Sequence, residues 1–246
     1  MTDPVPAPTG RPLFFYDPHQ DDESLWAGQL IAHHSLVGRE VHIVSCTDGS
    51  MSGVLQELAG LTPNSWWGGY HYPAREGIPP MTTADFVAAR DRELVQAARQ
   101  LGISPDRVHL RTDVRGADIT VDEAKALILA NEALSPGAGH YGMHWADMDT
   151  THAAIGQALR QLLLAGQITD VRWMVRREQT TTIAGAAPYP VPAQYAATAR
   201  MMALNALRCY QAWAPPQAYA IGAQSVAEDF VWAAAAGSAN YIVKAP

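Results

Sequence analysis

His19, Asp21, Asp22 and Glu23 lie together where an apolar run over residues 12–16 gives way to a helical pattern starting near Glu23. His19 and Asp22 are three apart and can face the same side of that turn. One imidazole and one carboxylate make two ligands of a zinc-type site, which accepts nitrogen and oxygen donors. Asp21, between them, points elsewhere and stays free as a base. A catalytic metal needs a third protein ligand and an open position for water. His152, at the start of a helix on a neighbouring loop, is the best candidate for it. The plainer alternative is that Asp21 or Asp22 caps the helix while Glu23 complements its positive end.

The elements around this turn must bring such residues together. A strand at 12–16, a helix from Glu23 to Val37 and a β-branched strand at 41–46 make a βαβ unit with a parallel sheet. Further on, the pattern predicts a helix over 85–101, a strand at 108–111, a helix over 122–134, a helix over 151–164 and a strand at 170–176. Two alanine-rich helices, near 195–213 and 226–236, close the chain. Residues 50–83, 135–149 and 180–192 read as irregular. In such a sheet the ligand sits beyond the carboxyl ends of the strands, where the sequence places His19, Asp21, Asp22, Thr47, Asp48, Asp113, His144 and His152. No repeat or linker divides two cores, so residues 1–246 read as one domain, with 1–11 as a flexible tail.

Composition narrows the partners. The chain has 246 residues, a net charge of -7, and 17 basic against 24 acidic side chains, which argues against binding nucleic acid through its phosphates. Cys46 and Cys209 form no short-spaced pair, so neither a disulfide framework nor a thiolate zinc motif is expected. No apolar window reaches membrane-spanning length, and the start lacks the pattern of a signal peptide. A cytoplasmic protein with no membrane partner is the expectation.

The segment from His19 to Glu23 resembles the His-Pro-Asp-Asp-Glu signature of the LmbE-like (PIG-L) zinc-dependent N-deacetylases, with Gln20 in place of the usual Pro. Thr47-Asp-Gly49 is similar to the family's Thr-x-Gly, and Arg90-Asp-Arg-Glu93 to its Arg-x-x-Glu. His152-Ala-Ala-Ile-Gly156 resembles the end of its His-Pro-Asp-His-x-x-x-Gly motif. These anchors fall in the family's order between residues 12 and 160; little beyond them matches.

The resemblance implies an α/β, Rossmann-like three-layer fold with a mostly parallel sheet and long active-site loops. It implies one divalent metal, usually Zn2+ with Fe2+ as another possibility, held by His19, Asp22 and His152. Asp21 would be the base that deprotonates the attacking water, and Arg90 a contact to a substrate hydroxyl. An exposed helix arginine paired with Glu93 is the competing reading of Arg90. The family has two histidines three residues apart, whereas His144 and His152 are eight apart, with Asp147 and Asp149 between them. By resemblance His144 polarises the oxyanion, with Tyr141 beside it and His140 as its competitor. Asp113 would bind a sugar hydroxyl or merely form a turn.

The implied reaction removes the N-acyl group from an N-acetylglucosamine-type sugar or a glycosylated small molecule. Alternatives at the same site are an amidase on a non-sugar or thiol-conjugate amide and a non-catalytic carbohydrate-binding relative. Retention of a free base at Asp21 argues against the last. The aromatic segment from Trp66 to Tyr72 has two readings, a packed cluster or a mobile loop whose rings stack on the substrate. Gly137 to Gly142 spells a dinucleotide fingerprint, but it follows a helix rather than the first strand, which rejects it.

Overall fold

The computed structural model describes residues 9–110 and 116–244. In chain order it runs β1 (Leu13–Asp17), α1 (Asp22–Leu36), β2 (Val41–Ser45), α2 (Val54–Leu58), α3 (Pro73–Glu76), α4 (Thr83–Gln100), β3 (Val108–His109) and α5 (Val121–Leu134). Then come β4 (Gly139–Met143), α6 (Thr150–Leu164), β5 (Asp170–Val175), β6 (Ala187–Pro188) and α7 (Ala193–Cys209). The chain closes with the β7–β8 hairpin (Trp213–Ala214, Ala218–Tyr219), α8 (Ile221–Ser225), α9 (Ala227–Ala234) and β9 (Tyr241–Val243).

The main sheet has the order β3-β2-β1-β4-β5-β9-β6. The pairings among β1 to β5 are parallel, and β9 runs antiparallel between β5 and β6. Side chains alternate across the strands. Leu13 and Phe15 of β1, with Tyr141 and Met143 of β4, pack under α1, α4, α7 and α9. Phe14 and Tyr16, with Trp173 and Val175 of β5, pack against α5 and α6. This is the three-layer α/β arrangement that the βαβ pattern and the resemblance imply. β1 is buried on both faces, as a central parallel strand must be.

β1 and β4 are neighbours although 124 residues separate Tyr16 from the His140 it hydrogen-bonds. The chain leaves β1 toward β2 on one side and later returns to β4 on the other. The gap beyond their carboxyl ends is therefore the switch point of a doubly wound sheet, where ligands bind.

The expectation of an irregular stretch over 135–149 fails at this point, because Gly139–Met143 is the central strand β4. Its two glycines weaken the strand signal, but parallel pairing to β1 and β5 overrides local preference. Residues 50–83 likewise contain α2, α3 and an Asn64–Gly69 bridge. The stretch 180–192 holds β6, and the helix expected over 226–236 is α9, with the short α8 preceding it. Of the expected tail, residues 1–8 lie outside the described residues. Thr9 donates from its backbone to Gly38 O, and Arg11 from its side chain to Gly137 O. Among the described residues no helix is long and apolar enough to cross a membrane.

Candidate active site

β1 ends at Asp17, and the chain turns through Pro18 to Gln20 into α1. Thr47, just past β2, donates its hydroxyl to Pro18 O at 2.7 Å and ties the two strand ends together. Gly49 follows with φ +69, and a Cβ there would meet Gln20 Oε1 at 2.4 Å and Arg90 Nε at 2.9 Å. Only glycine fits a left-handed position so closely approached. On the β4 side, Gly156 lies under the strand's end, and a Cβ there would come within 2.5 Å of Met143 O and Trp145 N. Gly156 thus lets α6 press against β4 and carry His152 to the switch point.

Three ligand atoms meet there. His19 Nδ1 is 3.3 Å from Asp22 Oδ2 and 3.2 Å from His152 Nε2, and His152 Nε2 is 3.3 Å from Asp22 Oδ2. This near-equilateral triangle tests the fit of a metal. Ligand bonds of ~2.0–2.1 Å in a tetrahedral zinc site separate the donor atoms by ~3.3–3.4 Å. The donor set of two imidazoles and a carboxylate matches a catalytic rather than a structural site. Among the described residues this is the cluster of His, Cys, Asp and Glu able to hold a metal ion.

Buried acids surround the triangle. Asp17, Asp21, Asp22 and Glu23 are all buried. Burial alone raises the Asp22 carboxyl, but the imidazoles of His152 and His19 hold it well below the usual carboxylate range. His152 shows the counterpart: burial lowers it, yet Asp22 and Asp147 raise it to about 10. Both shifts express one demand, for positive charge among the acids. Asp17, with neither carboxylate oxygen hydrogen-bonded, is raised well above its ordinary value by burial and then by Glu23, Asp22 and Asp21.

Asp21 stands beside the triangle, outside the ligand set. Burial pushes its carboxyl up to about 8, while the Arg90 guanidinium favours the charged form. Arg90 Nη2 lies 3.7 Å from Asp21 Oδ2, and Arg90 Nη1 donates to Gly49 O at 3.3 Å. Arg90 is buried, so the reading of an exposed arginine paired with Glu93 does not hold. Glu93 instead accepts from the backbone N–H groups of Ile221 and Gly222 at the start of α8. Gln20, the departure from the family's Pro, donates through Nε2 to Asp48 O and Asp91 Oδ1.

A cavity of about 450 Å3 opens over the triangle, lined by His19, Asp21, Asp22, His152 and Arg90. Its other walls include Trp26, Met51, Asp118, Arg176 and Asp229. None of these last residues belongs to the sequence motifs around His19, Thr47, Arg90 and His152. Trp26 was findable one helical turn after Asp22, and Arg176 just past the end of β5. Asp229, in the short final helix, carried no such signal.

Several expected site residues stand elsewhere. Tyr141 does not line the cavity: alternation along β4 sends it under α1, where it stacks on Phe15 at 4.4 Å and its hydroxyl meets His34 Nε2 at 3.4 Å. His140 faces the opposite layer and bonds Tyr16 and Glu132. His144 is not among the cavity-lining residues either. Its Nδ1 accepts from Ala146 N at 3.1 Å, its ring lies 3.8 Å from that of Trp145, and burial lowers it to about 4. Asp113 lies outside the described residues. The aromatic segment is packed: Trp67 stacks on His71 at 4.6 Å and meets Trp213 at 4.5 Å, and none of Trp66 to Tyr72 lines the cavity.

The segment that carries this site is similar to known proteins. The family described as GlcNAc-PI de-N-acetylase (PIG-L) matches residues 14–163. A 1D-myo-inositol 2-acetamido-2-deoxy-alpha-D-glucopyranoside deacetylase from Corynebacterium kroppenstedtii is 32% identical over 153 residues, 56% of this chain. The match spans only 39% of that curated relative's length. Among solved structures, a deacetylase in complex with teicoplanin superposes with a TM-score of 0.58 at 15% identity, covering 96% of this chain and 99% of that one. The 4-carboxy-2-hydroxymuconate hydratase of Pseudomonas putida also shares the fold, with a TM-score of 0.55 at 14% identity, covering 95% and 94%. The fold alone therefore does not select the reaction. The family is set by the match over 14–163, which runs from β1 through α6 and holds the triangle, Asp21 and Arg90: this chain belongs to the GlcNAc-PI de-N-acetylase (PIG-L) family.

Proposed function

We propose that the protein is a metal-dependent N-deacetylase that hydrolyses the N-acyl amide of an N-acetylglucosamine-type sugar or a glycosylated small molecule. The observation that carries this reading is the His19–Asp22–His152 triangle with Asp21 beside it at the floor of one cavity. His19, Asp22 and His152 would hold a divalent cation, zinc by the donor set, which would supply Lewis-acid activation of water and of the amide carbonyl.

The remaining chemistry belongs to the chain. Asp21 takes the proton of the water that adds to the carbonyl carbon, a role suited to a buried carboxylate whose charged form the Arg90 guanidinium favours. When the C–N bond breaks, Asp21 returns that proton to the leaving amine, and the acyl group departs as a carboxylic acid that loses its remaining proton to solvent. Arg90 holds Asp21 in place through its guanidinium and fastens the turn at Gly49. Asp118 and Asp229 offer acceptors, and Arg176 offers donors, for hydroxyls of the sugar or its aglycone along the cavity wall.

The test is amine release from a panel of N-acyl amino sugars and their glycosides, with zinc content measured in parallel. Asp21→Asn is expected to lose about 100- to 10,000-fold in turnover while retaining zinc. Full activity in that variant would place the base elsewhere.

A further inference from the structure

At the triangle Asp22 uses one carboxylate oxygen, Oδ2, which also accepts from the backbone N–H of His19 at 2.9 Å. Its other oxygen is occupied. Trp26, one turn further along α1, donates its indole N–H to Asp22 Oδ1 at 3.0 Å. A carboxylate free to rotate about its last bond would present either oxygen, or both, to a cation. An indole N–H fixed on Oδ1 removes that freedom and leaves Oδ2 turned toward His19 and His152.

The indole is itself held. Trp26 is buried, with its ring 6.0 Å from that of Trp232 and the Arg176 guanidinium 5.6 Å from its centroid. Arg176 Nη1 also reaches within 3.9 Å of Asp147 Oδ1, and Asp147 Oδ2 faces His152 Nδ1 at 3.4 Å. Arg176 thus joins the group behind Asp22 to the group behind His152. It does so from beyond residue 163, where the family match ends.

We propose that Trp26 is a positioning residue for the metal centre, orienting Asp22 through its indole N–H, with Arg176 clamping it from the carboxyl-terminal part of the chain. The proposal rests on reading the triangle as a cation site. Groups that orient metal ligands from behind contribute about 10- to 100-fold in metal affinity.

The experiment is zinc affinity of the full chain by competition with a chromophoric chelator, in wild type, Trp26→Phe and, as a control, Trp213→Phe, whose ring packs on Trp67 away from the cavity. Trp26→Phe keeps an aromatic ring under Arg176 and removes the donor. It is expected to bind zinc about 10- to 100-fold more weakly than wild type, whereas Trp213→Phe stays within about threefold. Zinc affinity of Trp26→Phe equal to wild type overturns the proposal and leaves the metal reading standing. A wild type without affinity for zinc takes both down. A measurement that needs no variant is indole 15N NMR of the wild type. Of the seven tryptophan N–H resonances, that of Trp26 is expected to resist deuterium exchange, as the buried Trp173 N–H on Gly156 O also should, and to move on addition of one equivalent of zinc. Absence of such a resonance also overturns the proposal.

Discussion

Asp147 Oδ2 stands 3.4 Å from Nδ1 of His152, across the ring from the nitrogen that faces Asp22 and His19. The eight-residue separation of His144 and His152 is what places it there. Asp147 Oδ1 accepts from Asp149 N, and Asp149 in turn caps α6 by accepting from the N–H groups of Thr151 and His152. The longer loop therefore holds the His152 ring at its outer nitrogen and its backbone at the helix start. A carboxylate behind a ligating histidine fixes its ring orientation and raises its basicity.

Zinc should stabilise the fold, because the triangle unites elements far apart in the chain. At a free concentration of about 100 times Kd, binding contributes about 2.7 kcal/mol, a rise in Tm of about 5–10 °C for a chain of this size. Differential scanning fluorimetry with and without a chelator measures it. His152→Ala should abolish the zinc-dependent rise, and a rise that persists would place the metal elsewhere.

Gly156→Ala should destabilise the protein even though alanine favours helices. The added methyl would press on Met143 O and Trp145 N, and overpacking of this kind costs about 1–3 kcal/mol. Urea unfolding checks it. A variant as stable as wild type would mean that α6 can shift freely away from β4.

Tyr141→Phe separates the expected role of this residue from its observed place. With its hydroxyl on His34 rather than in the cavity, the variant should keep turnover within about threefold and lose about 0.5–1.5 kcal/mol of stability. A large loss of turnover at unchanged stability would return Tyr141 to the site.

His34 should make stability fall with acid. Burial, aided by Arg39, His33 and Arg172, lowers its pKa from 6.5 to about 4. Between those values the unfolded chain binds the proton and the folded one does not, so stability is full above pH 6.5 and declines toward pH 4. Unfolding midpoints across that range should decline less steeply in His34→Gln than in wild type. Parallel slopes would show that His34 titrates normally in the fold.

Local relations were legible in the chain. His19 and Asp22 share a turn because they are three residues apart, and Asp21 between them faces elsewhere. The β-branched run at 41–46 and the capped helix α4 followed from period and composition, since each depends on neighbours within one turn or one strand. The failures also share a cause. β4 carries two glycines and little strand preference, and becomes a strand because β1 and β5 flank it. Tyr141, expected beside His144, and His140, expected as its competitor, are sent by alternation along that strand to opposite layers, both away from the cavity.

The donor types and the candidate base were determined by the sequence itself, because they depend on side-chain chemistry and on spacing within a single turn. The triangle was decided only by tertiary structure. His19 and His152 lie 133 residues apart, and they meet because β1 and β4 pair at the centre of the sheet and Gly156 lets α6 close on the strand's end. The same holds for Arg176 over Trp26. Such contacts arise from packing between elements, and no local pattern in the chain encodes which elements become neighbours.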